Sequence, residues 1–194
     1  MIPNSDWRKK LNLWDLTTPR GFHPDLVEWV KSRPEASFYD LWEETIDPTW
    51  LPYLAQSGGA TKKDLILAAC GVVRLCLHLL PPRDGLIAIE TAESWARKVA
   101  TEGQLHKALY AVPVPTDTSS PAYPAYNAVS IACNASAYSD SYLAAACATS
   151  DTVYWALRAG NESQVICSTL RKHLNFERPR EKGLTVWQRL AAKD

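Results

Sequence analysis

An all-α multi-helix bundle is the fold this sequence predicts, and three observations carry that expectation. Apolar residues recur at three- and four-residue spacing along most of the chain, and the alternating pattern of a half-buried strand is scarce. Thr61-x-x-Asp64 and Thr101-x-x-Gln104 have the form of capping boxes, in which a threonine oxygen and a side chain three residues on satisfy each other's orphan amides. Ala132, Ala135, Ala137, Ala144, Ala145, Ala146 and Ala148 crowd a region of little charge, where small side chains let helices approach closely. Together these features predict about eight to ten helices, with alanine-rich core helices and aromatic-rich amino-terminal ones.

The elements follow in order. Residues 6–16 carry Trp7, Leu11 and Trp14 at helical spacing after Ser5, a suitable N-cap, and Pro19-Arg20-Gly21 ends that stretch. Pro24 suits the first turn of a short helix bearing Leu26, Val27, Trp29 and Val30, which stops before Pro34. Between Ser37 and Ala55, Pro48 and Pro52 divide the apolar residues into two short helices meeting at a bend. Ser57-Gly58-Gly59 closes this section and marks the expected boundary between an aromatic-rich segment, 1–59, and an alanine-rich body, 60–194, with the first packed on the second.

The helix opened at Thr61 is expected to run to about Leu80, where Pro81-Pro82 stops it. Leu65, Ile66, Ala69, Val72, Val73 and Cys76 cover more than one face, which places this helix at the centre of the bundle. A helix over 84–100 follows, with Ala88, Ala92, Trp95 and Val99 as its inward stripe, widened by Ile87 and Thr91. Glu93 and Arg97 have the favourable acid-before-base spacing. Thr101 then opens a helix to about Ala111, and the proline-rich stretch 113–121 reads as an exposed, mobile loop. Two long helices, 124–138 and 140–157, carry the alanines, with Tyr126, Tyr138, Tyr142, Tyr154 and Trp155 as their bulky contacts. Gly160 ends the second, Asn161 is placed to cap a helix with Val165, Ile166, Leu170 and Leu174, and a loop and short helix with Leu184, Val186, Trp187 and Leu190 complete the chain.

Composition narrows function mainly by exclusion. The chain has 194 residues, 46% of them hydrophobic, and its 21 basic and 21 acidic residues cancel. Zero net charge argues against a surface built as a whole to hold nucleic acid or anionic lipid. The polar start MIPNSDWRKK lacks the apolar core of a secretory signal, and the longest apolar run, 65–73, is too short to span a bilayer, so a soluble, cytoplasmic protein is expected. Five cysteines without a CxxC pair fit reduced thiols better than a disulfide framework. The Asn-x-Ser matches at Asn134 and Asn161 carry little weight in that setting.

Specific chemistry is hard to find. Cys70, Cys76 and His78 lack the paired spacing of a zinc site, and Cys133 and Cys147 fit buried helical positions, so neither metal nor cofactor is expected. Cys167 and His173 point in different directions on a helix, which leaves a core cysteine and a surface histidine. Glu90 and Glu93 suit a solvated helix face better than an acid/base pair. The nucleophile elbow, the phosphate-binding loop and the dinucleotide fingerprint are missing from the sequence, and an enzyme is not expected.

Two charged regions remain. Between Glu35 and Trp50 the chain carries Glu35, Asp40, Glu43, Glu44 and Asp47 with no lysine or arginine, and Trp42 and Trp50 stand among them. Acids around aromatic anchors suit a basic protein partner, so these seven residues form the candidate binding site. The competing and favoured reading turns both tryptophans inward and leaves the acids to wet the outer face. Arg171, Lys172, Arg178, Arg180, Lys182 and Arg189 make an opposite, basic run, a candidate contact for the acidic segment, a partner or nucleic acid. A solvated tail fits it better than a nucleic-acid site, because no stacking aromatics are interleaved.

Several of these stretches resemble a known family. LILAACGVVRLCLHLLPP, IAIETAESWARKVAT, the tyrosine- and alanine-rich helices and the closing ICSTLRKHL are similar, in order and spacing, to the alanine-rich helical bacterial immunity proteins of polymorphic toxin systems. DLWEETIDPTWLPYLA resembles that family's tryptophan-bearing lead-in, which extends the match to about 38–174. The chain differs from the family's pattern at RDGLIAIE, at Lys98, where a glycine is common, and at the inserted PVPTDTSSP. The resemblance implies a cytoplasmic, non-enzymatic protein that neutralises a cognate toxin by direct binding. The alternative it leaves open is a helical adaptor or regulatory subunit in another bacterial defence or signalling complex.

Overall fold

Nine α-helices and one short 3-10 turn, with no strand, make up the described part of the chain, residues 24–137 and 142–176 of the computed structural model. The helices expected over 6–16 and near 184–190 lie outside the described residues, as do most of the basic tail positions. The elements are α1 (Pro24–Lys31), α2 (Phe38–Glu44), α3 (Leu51–Ser57), α4 (Lys62–Val73), a 3-10 turn (Leu77–Leu79), α5 (Pro82–Ala96), α6 (Glu102–Tyr110), α7 (Ala122–Ala137), α8 (Tyr142–Arg158) and α9 (Ser163–His173). No helix among the described residues is long and apolar enough to cross a membrane.

Local signals account for most boundaries. Ser37, Thr61 and Thr101 each cap a helix in full capping-box geometry, with Asp40, Asp64 and Gln104 returning the second bond. Such a cap stabilises a helix by about 1 kcal/mol. Gly59 takes φ +95° just past the end of α3, a conformation that a residue with a Cβ rarely adopts.

Three boundaries depart from expectation. The α-helix opened at Thr61 stops at Val73 rather than near Leu80. Arg74–Leu80 tightens into i→i−3 bonds, such as Cys76 N–H to Val73 O at 2.9 Å and Leu80 N–H to Leu77 O at 3.1 Å. The tighter winding brings Leu77 and Leu80 against Gly85 at the start of α5, where a Cβ would lie 3.1 Å from Leu77. Asn161 does not cap α9. Its side chain donates back to Ala156 O at 2.9 Å and so helps to close α8, while Glu162 stands at the cap of α9 without a side-chain bond.

The third departure reshapes α5. Its buried line is Ala88, Ile89, Ala92 and Ala96, whereas Ile87 and Val99, both expected inside, are exposed and Trp95 is half-buried. The helix ends at Ala96, and Lys98 takes the left-handed conformation with φ 62°. Lys98 N–H then bonds Trp95 O, and Val99 N–H bonds Ser94 O, both at 2.8 Å. This is the Schellman arrangement, which swings the chain off the helical path and carries Val99 away from the stripe.

Two buried clusters meet across α4. Leu65, Ala68 and Val72 face one and Ile66, Ala69, Cys70 and Val73 the other, so α4 is apolar nearly all round and central, as its sequence implied. The first cluster joins α1–α3 to α8 and α9 around Phe38, Leu41 and Trp42. The second joins α4–α7 through small residues, among them Ala88, Ala92, Ala125, Ala128, Ala132 and Cys133. The most extensive helix pairing lies between α7 and α8. Polar groups inside α8 are each satisfied: Thr149 Oγ1 donates to Ala145 O or Leu65 O, and Ser150 Oγ donates to Thr49 O at 3.0 Å.

Cysteines 70, 76, 133 and 167 are buried, while Cys147, expected inside, is half-buried. Burial pushes the Cys76 and Cys133 thiols up to about 12, which makes them packing groups rather than nucleophiles at neutral pH. Glu93 receives Arg74 at 3.0 Å and Arg97 at 3.6 Å, so its partners come from α4 as well as its own helix. With both arginines substantially exposed, each pair contributes about 0.2–1 kcal/mol.

Candidate protein-binding site

The acidic segment is shaped first by its caps. Ser37 Oγ accepts from Asp40 N–H while Asp40 Oδ2 accepts from Ser37 N–H at 2.8 Å, so Asp40 is engaged in starting α2. That start turns Phe38, Leu41 and Trp42 inward. Trp42 is only 2% exposed and stacks edge-on to Phe176, with centroids 4.9 Å apart, while Phe38 lies parallel to it at 6.2 Å. Trp42 therefore sits in the core and presents nothing to a partner.

α2 ends at Glu44 with carbonyls that its own helix cannot satisfy, and a residue from the far end of the described chain satisfies them. Arg171 of α9 donates from Nε and Nη2 to Trp42 O at 3.1 and 2.8 Å, and from Nη2 to Glu43 O at 3.0 Å and Thr45 O at 2.7 Å. A guanidinium is suited to this role, because its planar fork holds several acceptors at once and its charge favours a helix C-terminus. Among the described residues, the basic run meets the acidic segment through Arg171, at backbone carbonyls rather than carboxylates.

The connection from α2 to α3 is tied at further points. Asp47 Oδ1 accepts from Thr49 N–H at 2.9 Å and Thr49 Oγ1 at 2.6 Å, a local turn ahead of α3. The Cys167 thiol donates to Ile46 O at 3.6 Å, and burial pushes that thiol up while Arg171 draws it down. With its backbone so held, Ile46 points its side chain into solvent and is 84% exposed.

Around Ile46 stand the acids. Glu43 and Glu44 are exposed and Asp47 is half-buried. Glu44 pairs with Arg33 Nε at 3.3 Å, and Arg33 lies 4.3 Å over the Trp29 ring, which packs at 5.5 Å against Trp50. Trp50 is half-buried against the first cluster, and its Nε1, like Thr45 Oγ1, is buried without a hydrogen-bond partner. Glu35 lies exposed on the turn ahead of α2.

Of the seven residues singled out by sequence, the structure places Glu43 and Glu44 on the last turn of α2 and Asp47 on the loop that follows, with Glu35 and Asp40 before them and the two tryptophans behind. Sequence reasoning passed over Ile46, which reads as one more apolar residue in a mixed stretch. The available signal was its setting: an isoleucine between acids and just ahead of Pro48 belongs to no helical stripe. Arg171 read only as part of a basic run. Among the described residues no group of three metal-ligating side chains converges. No known protein family, curated protein or solved structure matches the chain.

Proposed function

We propose that this chain is a non-enzymatic helical binding protein of immunity type, which neutralises a cognate bacterial toxin in the cytoplasm by direct contact through the α2–α3 loop. The observation that carries the site is Ile46: a large apolar side chain, 84% exposed, on a backbone tied down by Arg171, Cys167 and the Asp47 turn. A side chain presented from a rigid loop loses little conformational freedom when it is captured, so more of its burial appears as affinity. Glu43, Glu44 and Asp47 around it suit a partner whose apolar socket is rimmed by lysine and arginine, and acids placed there speed encounter as well as fix orientation. The family resemblance over 38–174 supports the immunity reading.

Co-expression with the product of the neighbouring gene is the direct test. A toxic neighbour should be bound and neutralised, Ile46→Asp should weaken binding by about tenfold or more, and Glu43→Lys with Glu44→Lys should slow association. Both variants should keep the wild-type melting temperature, because these side chains lie outside the core. A toxic neighbour that is neither bound nor neutralised would sink the immunity reading. A stable complex with a harmless partner would favour the adaptor alternative, and full affinity in Ile46→Asp would move the interface elsewhere.

A further inference from the structure

The last turn of α9 does more than supply Arg171. Cys167 and Arg171 stand one turn apart and hold the α2–α3 backbone, at Ile46 O and at the carbonyls of Trp42, Glu43 and Thr45. His173 follows in the same turn, about 200° round the helix from Arg171, and meets α4 instead. Its imidazole lies on the backbone of α4 at Gly71, where an added Cβ would collide with Nε2 and Cδ2. Gly71 is therefore a seat for the ring, and any larger residue would fill it.

The seat is set among charges. Acting on the imidazole are Lys172 of its own helix, Arg74 just past the end of α4, and Glu93 of α5. Glu93 is already held by Arg74 at 3.0 Å and Arg97 at 3.6 Å, so it offers little to a further cation. Burial, then the charges of Lys172 and Arg74, hold the imidazole below the usual histidine value, while Glu93 draws it up. A ring more readily neutral when seated is, by linkage, more readily seated when neutral. His173 as a whole is exposed, so protons reach it without unfolding.

We propose that His173 is a positioning residue for the α2–α3 loop, acting through Arg171 and only while uncharged. Seated on Gly71, the neutral ring fixes the end of α9. The charged ring, set beside Arg74 and Lys172, leaves the seat and lets Arg171 slip from the carbonyls of α2. The four bonds of that guanidinium are sensitive to such movement, because each needs its donor within about 2.7–3.2 Å of the acceptor and in good alignment. Presentation of Ile46 thus weakens in mildly acidic surroundings, where an ordinary histidine gains its proton. This consequence rests on the α2–α3 loop as the binding site, but each readout that tests it is intramolecular, so its failure and that of the immunity reading are distinguishable.

The test is nuclear magnetic resonance on the full chain, following the Arg171 Nε–H and the Ile46 methyl group from about pH 7.5 to about pH 5. On acidification the wild-type Nε–H signal should be lost and the Ile46 methyl should shift, with a common midpoint below the ordinary 6.5. Free guanidinium protons exchange more slowly as pH falls, so a loss on acidification reports a broken bond. His173→Gln, which does not titrate, should hold both signals constant over this range. Gly71→Ala, which fills the seat, should show the acid-state signals already at about pH 7.5. Wild-type signals that do not move, or a His173→Gln that titrates like the wild type, would overturn the proposal whether or not Gly71→Ala folds. So would a folded Gly71→Ala that keeps the wild-type Arg171 signal.

Discussion

The two core clusters solve the same packing problem with opposite materials. The first is built from both ends of the described chain, α1–α3 with α8 and α9, and fills its volume with Phe38, Trp42 and Phe176 set edge to face or stacked. Large rings leave gaps and stranded carbonyls, and this cluster carries the long-range polar ties: Arg171 to Trp42, Cys167 to Ile46 and Ser150 to Thr49. The second comes from one continuous stretch, 66–133, and packs alanines, cysteines and short aliphatic residues with no fully buried aromatic among its described members. Inside it the Cys133 thiol donates to Ala88 O at 3.8 Å, and the fit of small side chains supplies the rest of its specificity. Ring-rich packing thus needs polar ties for precision, whereas small-residue packing is specified by lack of room.

That contrast can be broken from either side. The largest expected effect is Trp42→Ala, which should lower stability by about 3–5 kcal/mol in chemical denaturation, because the ring is wholly enclosed by Phe38 and Phe176. In the second cluster the damaging change runs the other way. Ala132→Leu inserts side chain where α7 has no space and should cost about 1–3 kcal/mol. If Ala132→Leu were neutral, the second cluster would be looser than its small residues imply.

Alkaline pH sharpens the comparison. Cys76 and Cys133, both of the second cluster, have thiols raised in the folded state to about 12 from an ordinary value of 9.0. The fold favours their neutral form, so this stabilisation is complete below the ordinary value and is lost as pH climbs through the folded one. The unfolding midpoint should therefore fall between about pH 9 and 12. Cys76→Ala with Cys133→Ala should flatten that fall, and an unchanged slope would assign it to other groups, such as Tyr53 of the first cluster, whose hydroxyl burial also pushes up. The smallest effect concerns Lys98. Relief of its left-handed backbone in Lys98→Gly should raise stability by about 1 kcal/mol, read as a higher melting temperature.

Helical periodicity and capping boxes made most of the fold legible, since both act within a few residues. The central place of α4 was readable because apolar residues on every face leave a helix nowhere else to go. What escaped depends on distant partners or on backbone excursions that periodicity does not encode. The early end of α4 answers to the packing of Leu77 and Leu80 on Gly85, and the displacement of Val99 to the left-handed Lys98. At the candidate site the acids could be read directly. Trp42's inward turn follows from the cap at Ser37, but the exposure of Ile46 depends on Arg171, 126 residues away from Thr45, whose carbonyl it holds.

That separation also bears on the order in which the molecule assembles. The fully buried residues of the second cluster all lie between 66 and 133, so most of it can form from neighbouring segments as they appear. Beyond the local Asp47–Thr49 turn, the α2–α3 loop gains the ties from Arg171 only after α9 exists, across a separation of 129 residues to Trp42. Joining such distant segments is an entropically late step, and topologies that depend on it complete slowly. The fixed presentation of Ile46 is therefore expected to arrive last, after the alanine-rich middle is in place, so that the core is structured before its most exposed apolar side chain is held in position.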